Sequence, residues 1–280
     1  YFGDLDRDIH LRLLCRSAEM RSSDDPVKFE QFVIGRDRFF FKNVQGRSGY
    51  LPFLRLRESA RRHTIPAHQA IFEHRLFHGQ VYDFKYHRTK TDLLLTAHRG
   101  NEPLAPLRTY LDSIPQACPH ELFLKETPRA SQAKGVFRVG DIRVTKRNDN
   151  AAVESARFAL QAVTKNKLRH ETLQEFMLVN DSATVAVEVP IVLTHADVDH
   201  YRTALGFDVP LPLGVGDVYT GHIDLVQIRN GQVHILDYKP DAAHVKPIEQ
   251  LMIYALALAR RSHLLLYHFR CAWFDDRDYF

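Results

Sequence analysis

One predicted β-hairpin, between residues 221 and 239, constrains the fold of this chain more than any other segment. Asn230-Gly231 separates two runs in which apolar and polar residues alternate. This dipeptide is typical of a type I′ turn, because both central residues of that turn need a positive φ. With these two residues as the loop, cross-strand partners have residue numbers that sum to 461 (230 + 231). The hairpin and its register can therefore be predicted before any other part of the fold.

Two carboxylates of this hairpin are predicted to lie opposite each other. The register pairs Asp224 with Asp237 and His222 with Lys239, and alternation puts all four side chains on one face. Like charges placed directly opposite destabilise a sheet by roughly 0.2–1 kcal/mol per pair. We therefore expect a cation between the aspartates, and hard oxygen ligands suit Mg²⁺ or Mn²⁺. The alternative is an ordinary exposed hairpin that carries charged residues at its end.

A lysine beside such an ion indicates phosphoryl chemistry. A divalent metal can polarise a phosphoryl group and lower the pKa of a water for in-line attack. Lys239 lies two residues from Asp237 on the same predicted face. From there it could orient or deprotonate the attacking water, or stabilise charge on the phosphate.

Residues 168–260, about a third of the chain, resemble the nuclease domain of the PD-(D/E)XK superfamily in its RecB-like branch. That branch has a helix with a His, a strand with a Glu, Gly-x-Ile-Asp, Asp-Tyr-Lys, and then a helix with Gln and Tyr. The matching residues here, in order, are His170, Glu188, Gly221-His222-Ile223-Asp224, Asp237-Tyr238-Lys239, Gln250 and Tyr254.

The resemblance implies a role for each of these residues. Asp224 and Asp237 would be metal ligands, with His170 as an additional ligand. Lys239 would be the catalytic lysine, acting together with the two aspartates. Three further residues would be accessory: Glu188, Gln250 and Tyr254.

Local patterns around the hairpin agree with this arrangement. Residues 184–193 form a β-branched run that predicts a strand, with Val185, Val187 and Val189 on one face and Glu188 on the other. Pro190 favours an edge position or a bulge. Residues 152–178 have a helical pattern that includes His170, which could also be an ordinary surface or core histidine.

Two more elements follow the hairpin. Pro247 is suited to the first position of a helix, in which Gln250 and Tyr254 are neighbours on one face. These two side chains could bind a phosphate or the lysine, or bind each other. Residues 263–269 predict a further strand. The fold class expected is α/β, a mixed central β-sheet flanked by helices (a restriction-endonuclease-like core), with an N-terminal α+β domain.

Charge is divided unevenly along the chain. Residues 1–150 hold 26 Lys and Arg against 18 Asp and Glu, a net charge of +8, whereas residues 151–280 hold 12 against 16, a net charge of −4. We predict a basic N-terminal domain over 1–150 that contacts nucleic acid or a partner, and a nuclease domain over 151–280. A basic patch suited to phosphates is expected at Arg129, Lys134, Arg138, Arg143, Lys146 and Arg147. Such charges can also simply solvate a surface.

The N-terminal half gives weaker signals. Residues 31–42 predict two short strands with a turn near Gly35, and residues 59–78 have helical character. Five histidines lie between residues 63 and 87, two of them, His74 and His78, at helical spacing, but no His-Glu-x-x-His motif is present. Solvated or packing histidines are expected there rather than a metal site. A second Asp-x-Lys, Asp83-Phe84-Lys85, is interpreted as a plain strand.

The cysteines and the lengths of the apolar runs limit the classes of protein to which this chain can belong. Cys15, Cys118 and Cys271 are widely separated and predict neither a disulfide framework nor a zinc site. Three cysteines cannot supply an all-cysteine iron–sulfur cluster, which some relatives of the RecB-like branch carry. No secretory signal precedes Asp4, and no apolar run approaches the ~20 residues of a membrane span. The expectation is an intracellular, cytoplasmic protein without a membrane partner.

Together these features predict a Mg²⁺- or Mn²⁺-dependent nuclease that hydrolyses DNA phosphodiester bonds. The preference for DNA over RNA, and a role in DNA repair, recombination or defence, are implied by the resemblance alone. Two alternatives remain open: a catalytically silent nucleic-acid-binding scaffold, and a nuclease subunit of a larger complex with a protein partner.

Overall fold

The computed structural model describes most of the chain from residue 71 onwards. It covers residues 71–280 apart from 98, 125–126, 134–136, 138–141, 148–149, 162, 164–165 and 212, together with the backbone of three strands before residue 50. Those strands are β1 (Phe29–Gly35), β2 (Arg38–Asn43) and β3 (Ser48–Gly49), paired antiparallel in the order β1-β2-β3. The prediction of two strands with a turn near Gly35 is confirmed.

A six-stranded mixed sheet forms the centre of the fold. Its strands are β4 (Ile71–Phe77), β5 (Val81–His87), β6 (Thr184–Thr194), β7 (Val218–Arg229), β8 (Gln232–Tyr238) and β9 (Phe269–Phe274). They are ordered β4-β5-β6-β7-β8-β9, and every neighbouring pair is antiparallel except β8 and β9, which are parallel. The predicted mixed α/β sheet is confirmed.

Helices cover both faces of this sheet. They are α1 (Arg88–Ala97), α2 (Ala105–Ala117), α3 (His120–Leu124), α4 (Ala151–Ala159), α5 (Asn166–Asn180), α6 (His195–Leu205) and α7 (Ile248–Ser262). Buried residues of α1, α2, α6 and α7 form one core with the sheet, and those of α4 and α5 form another. Among the described residues, no helix is long and apolar enough to cross a bilayer.

The main sheet extends across the domain boundary predicted at residues 150 and 151. Strands β4 and β5 come from the basic half of the chain, yet β5 pairs with β6 from the acidic half. Leu107 and Leu111 of α2 lie in the same core as Leu251 and Leu258 of α7. Residues from both sides of the predicted boundary therefore contribute to one core. The predicted boundary followed a change of net charge, which reflects surface composition and not the pairing of strands.

Strand β6 changes face in its middle, which corrects the prediction for its valines. Val185 and Val189 pack in the core under α7, whereas Val187 packs in the core under α4 and α5. Glu188 between them has φ 51°, a left-handed conformation that costs a non-glycine residue of order 1–3 kcal/mol. This conformation interrupts the alternation between Val187 and Val189, and a register shift against β7 between Thr184 and Ala186 interrupts it between Val185 and Val187, so the three valines do not share one face.

Pro190 lies on the part of β6 that β5 no longer reaches. The pairing of β5 with β6 is limited to Lys85 with Val187 and Tyr86 with Ala186. The proline sits beyond this short ladder, and its carbonyl accepts a hydrogen bond from the Tyr110 hydroxyl at 2.6 Å. A missing N–H is tolerated there, as at a sheet edge.

Three predicted elements differ in extent from the observed ones. The helix predicted over 152–178 is two helices, α4 and α5, since the β-branched Val163-Thr164 between them disfavours a helix. The strand predicted over 263–269 begins only at Phe269, because His263 ends α7 with φ 55° and a 3₁₀ turn follows. Residues 71–77 form strand β4 in place of the predicted helix, and residues 59–70 lie outside the described residues.

The β7–β8 hairpin has the predicted register. Leu225 pairs with Leu236 and Arg229 with Gln232, each pair summing to 461. Asn230 and Gly231 have φ values of 49° and 74°, as a type I′ turn requires. The turn is held from outside by Asn101, whose Oδ1 accepts the Gly231 N–H at 2.7 Å.

Gly231→Ala is expected to destabilise the protein more than Gly216→Ala. A Cβ at residue 231 would lie 2.9 Å from the backbone oxygen of Gly100, whereas Gly216, with φ 92°, has open space around it. Both substitutions carry the strain of positive φ, about 1–2 kcal/mol, and only the first adds overpacking, about 1–3 kcal/mol. Urea unfolding of both variants measures the difference. Equal losses would contradict the close approach at Gly100.

Candidate active site

The two hairpin aspartates lie where the β7–β8 ladder ends. The last paired residues are Leu225 and Leu236. At the next position, Asp224 Oδ2 accepts the backbone N–H of Tyr238 at 2.9 Å. Asp237 is 1% exposed and lies within direct electrostatic reach of Asp224. The structure thus brings together the two carboxylates that the register pairs, with the Asp224 side chain ending the ladder.

Lys239 and Gln250 both contact Asp237. Lys239 Nζ lies 2.7 Å from Asp237 Oδ2, and the Gln250 amide Nε2 donates to Oδ1 at 3.2 Å. The same amide donates to the Tyr254 hydroxyl at 2.9 Å. Helix α7 therefore fixes the Asp237 carboxylate through Gln250. Of the three possibilities stated for Gln250 and Tyr254, the structure shows the bond between them and adds a contact with the carboxylate.

Glu188 lies half-buried beside the aspartates. Its Oε1 accepts a hydrogen bond from Gln174 Nε2 at 2.6 Å. Burial, followed by the charge of Asp224, raises the pKa of Glu188 to about 8. Glu188, which has a left-handed backbone conformation, occupies the β6 position opposite Asp224 in the register. This position lies between the pairs Val187–Leu225 and Val189–Ile223.

His170 on α5 approaches the carboxylates from the other side. Its Nδ1 lies 3.6 Å from Asp224 Oδ2, and its ring packs edge-on to Tyr238 with centroids 5.0 Å apart. Burial, followed by the charge of Lys239, lowers the pKa of His170. A neutral imidazole 3.6 Å from a carboxylate oxygen leaves a nitrogen that could bind a metal ion.

The carboxylate group carries more negative charge than its surroundings balance. Burial and then Asp224 raise the pKa of Asp237 to about 7, and burial also raises the pKa of Asp224. Lys239 is the cation that contacts Asp237. Buried carboxylates that repel one another fit a divalent cation, and the donors are the hard oxygens that Mg²⁺ and Mn²⁺ prefer.

The carboxylate cluster offers few ligands at once. Among the described residues, the set of three ligand side chains whose atoms all lie within 4.8 Å of one another is found elsewhere, around His78. Mg²⁺ typically uses one or two carboxylates and keeps several waters. Asp224 and Asp237, with His170 nearby, match that demand.

Asp224, His170, Glu188, Gln250 and Tyr254 line a cleft with a cavity volume of about 680 Å³. Its wall includes two cations, Lys85 and Arg129, which the sequence did not connect to the aspartates. Arg129 donates to the Tyr82 hydroxyl at 2.7 Å and to the His78 carbonyl at 3.3 Å. Lys85 is ion-paired with Glu175 of α5. The second Asp-x-Lys lies in strand β5, as expected, but its lysine faces the cleft.

Gln174 is also missing from the predicted site. It lies four residues after His170 on α5, so helical spacing alone could have placed it on the same face. His222, predicted opposite Lys239, contacts His78 and Tyr82 instead, whereas Lys239 contacts Asp237. Because the hairpin ladder ends at Leu225, the register no longer controls the position of His222.

The predicted basic patch is spread over different parts of the fold. Arg129 bridges to Thr220 of β7 in the cleft wall. Lys146 pairs with Asp278 at 2.5 Å, Arg147 bridges to Tyr279, and Arg143 is exposed. Lys134 and Arg138 lie outside the described residues. The contact of these residues with nucleic acid remains a prediction.

Gly221 is the point where β7 passes against α7. A Cβ there would lie 2.7 Å from Tyr254 Cε1 and 3.2 Å from its hydroxyl. Gly221→Ala is therefore expected to displace Tyr254, weaken its bond with Gln250 and cost about 1–3 kcal/mol of unfolding free energy. Urea unfolding measures the loss. In a Tyr254→Ala background the same substitution has room and is expected to cost much less; an unchanged cost would contradict the contact.

A comparison with known protein families identifies the class to which this fold belongs. The family model of the PD-(D/E)XK nuclease superfamily matches residues 128–273, slightly more than half of the chain. The chain belongs to the PD-(D/E)XK nuclease superfamily. Comparisons with curated proteins and with solved structures gave no match.

Proposed function

We propose that this protein is a divalent-metal-dependent nuclease of the RecB-like branch that hydrolyses phosphodiester bonds in DNA. The observation that carries the proposal is the adjacent Asp224 and Asp237 carboxylates: Lys239 and Gln250 contact Asp237, and Asp224 and Gln250 line the cleft. DNA as substrate, and a place in repair, recombination or defence, are supported by the resemblance to that branch. Mg²⁺ or Mn²⁺ is supported by the oxygen donors.

Each side chain has a definable task in this reaction. Asp224 and Asp237 would hold the ion, with His170 as an additional ligand. When bound, the ion supplies an acidified water and neutralises charge on the phosphate. Gln250 keeps the Asp237 carboxylate in one orientation through Oδ1. The Lys239 Nζ lies 2.7 Å from Asp237 Oδ2. It would move a short distance to orient the attacking water or to neutralise a phosphate oxygen.

The cleft wall would bind the polynucleotide. Arg129 is fixed by Tyr82 and by the His78 carbonyl, so its guanidinium is preorganised for a phosphate. Glu188 accepts a hydrogen bond from Gln174, which suits an accessory role in shaping the carboxylate group.

The direct test is cleavage of end-labelled single- and double-stranded DNA, linear and circular, with Mg²⁺, Mn²⁺ or EDTA, by the wild type and Asp237→Ala. We expect cleavage that needs the metal and is lost in the variant, and cutting of the circular substrate separates endonuclease from exonuclease. An RNA substrate of the same sequence tests the preference for DNA. DNA binding without cleavage under every condition would overturn the enzyme and favour a binding scaffold or a subunit that needs its partner.

A further inference from the structure

We propose that His78, Cys118 and His120 form a second metal site, specific for zinc, that fastens the β4–β5 turn to the segment joining α2 and α3. His78 Nε2 lies 2.8 Å from His120 Nδ1 and 4.0 Å from Cys118 Sγ. All three ligand atoms lie within 4.8 Å of one another. This site is separate from the carboxylate cluster, and the inference does not depend on the proposed nuclease activity.

The donor set selects the metal. Imidazole nitrogens and a thiolate suit Zn²⁺, whereas Mg²⁺ and Mn²⁺ prefer oxygen. Tetrahedral zinc with ordinary bond lengths places two nitrogens about 3.4 Å apart and a nitrogen and a sulfur about 3.6 Å apart. The observed 2.8 Å and 4.0 Å differ from these values by about half an ångström each, within the reach of side-chain rotation.

A neighbouring histidine orients the central ligand. His78 is 1% exposed, and its Nδ1 lies 2.8 Å from His222 Nε2. If the His78 Nδ1–H donates to His222, the His78 Nε2 lone pair points at His120 and Cys118. Metal-binding histidines almost always donate their other ring N–H to a fixed acceptor in this way.

A chain of hydrogen-bonded imidazoles is the simpler explanation of the same atoms, but it leaves Cys118 unused. His120 would donate to His78, and His78 to His222, without any part for the sulfur. Cys118 and His120 are half-buried, so an ion can reach them from solvent. Three protein ligands leave a fourth position for water or an anion.

Zinc at this point would hold one wall of the cleft. The His78 ring stacks on Phe123 of α3 with centroids 3.8 Å apart, and the His222 ring stacks on Tyr82 at 3.7 Å. The His78 carbonyl and the Tyr82 hydroxyl both accept from Arg129. The ion would therefore stabilise the segment that positions Arg129.

Cobalt substitution tests the site on the full chain. Metal-free protein, kept reduced, is titrated with Co²⁺, because a thiolate ligand adds a near-ultraviolet charge-transfer band that the sulfur-free carboxylate site cannot give. We expect a band that saturates at one equivalent in the wild type and in Asp237→Ala. It should be absent in Cys118→Ser and retained in Cys271→Ser, the matched control for a cysteine elsewhere.

Zinc content and thermal unfolding complete the test. Purified wild type should hold one zinc per chain that Cys118→Ser lacks, and added Zn²⁺ should raise the Tm of the wild type only. Circular dichroism of the metal-free proteins shows that the serine variant folds. No charge-transfer band in the wild type, or an equal band in Cys118→Ser, would overturn the site. Absence of nuclease activity with Mg²⁺ would not bear on the zinc site, so the two proposals are tested independently.

Discussion

Lys239→Ala is expected to reduce metal-dependent DNA cleavage by at least about 10²-fold, the usual loss when one electrostatic contact to a developing charge is removed. The fold should persist, because the Asp237 carboxylate, whose pKa is already about 7, can take up a proton when its counter-charge is removed. DNA binding should also persist, since Arg129 and Lys85 in the cleft wall are unchanged.

The measurement is single-turnover cleavage of labelled DNA with Mg²⁺, accompanied by a binding titration without metal. Lys246→Ala is the matched control, because this exposed lysine lies in the link between β8 and α7 and should keep the wild-type rate. Asp237→Asn with Lys239→Met removes the ion pair as a unit and should fold like the wild type without cleaving. A Lys239→Ala rate within about threefold of the wild type would refute the role assigned to the lysine.

The metal-free protein is expected to lose stability as pH rises from about 6.5 to about 8, with little further loss above that, and Mg²⁺ to restore it. Unfolded carboxyls titrate near their ordinary pKa values of 3.8 and 4.5, whereas burial and mutual repulsion raise those of Asp237 and Glu188 to about 7 and about 8. The folded state therefore holds protons that the unfolded state has lost. Each group lowers the free energy of unfolding by up to about 1.4 kcal/mol per pH unit between its unfolded and its folded pKa, so the loss from Asp237 ends near pH 7 and that from Glu188 near pH 8.

Buried histidines have the opposite effect, but at lower pH. Burial lowers the pKa values of His78, His87 and His234 to about 4 and that of His222 well below 6.5. Their unfolded forms bind more protons below about pH 6.5, so stability rises with pH up to that point. Above it their contribution is constant. The carboxylates therefore control the pH dependence between about pH 6.5 and about pH 8.

The experiment is urea unfolding in EDTA at several pH values between 6 and 9, repeated with Mg²⁺. Glu188→Gln should flatten the decline, since the amide oxygen can still accept from Gln174. Magnesium at 100 times its Kd should add about 2.7 kcal/mol. Stability that rises between pH 6.5 and pH 8 without metal would contradict the raised pKa values of the carboxyl cluster. The groups that face these carboxylates are His170, Glu171, Gln174, Asp224, Lys239, Gln250 and Tyr254.

Local chemistry made the hairpin predictable. The Asn230-Gly231 turn requires positive φ at both residues, and the register follows by counting from it. Asp224 and Asp237 were found by that counting, and Lys239 by its spacing from Asp237. Pro247 and the apolar spacing after it likewise predicted α7, which begins at Ile248. Each of these depends on residues close together in the chain.

Interactions between distant segments decided the rest. Glu188 adopts positive φ although no property of a glutamate favours it, and this places Val187 and Val189 in different cores. Net charge suggested a boundary at residue 150, but pairing of β5 with β6 crosses it. Such features depend on which strands become neighbours, and local preference does not contain that information.

The amino-acid sequence by itself determined the turn, the register and the order of the motif residues, because each follows from backbone preferences and spacing within one segment. Only the tertiary structure brought Gln174 to Glu188 and Arg129 to the cleft wall. It also brought His78 into contact with His120, 42 residues away in the chain, and with His222, 144 residues away. A ligand set assembled from separate segments has no spacing to recognise. It exists only once the sheet and helices have packed.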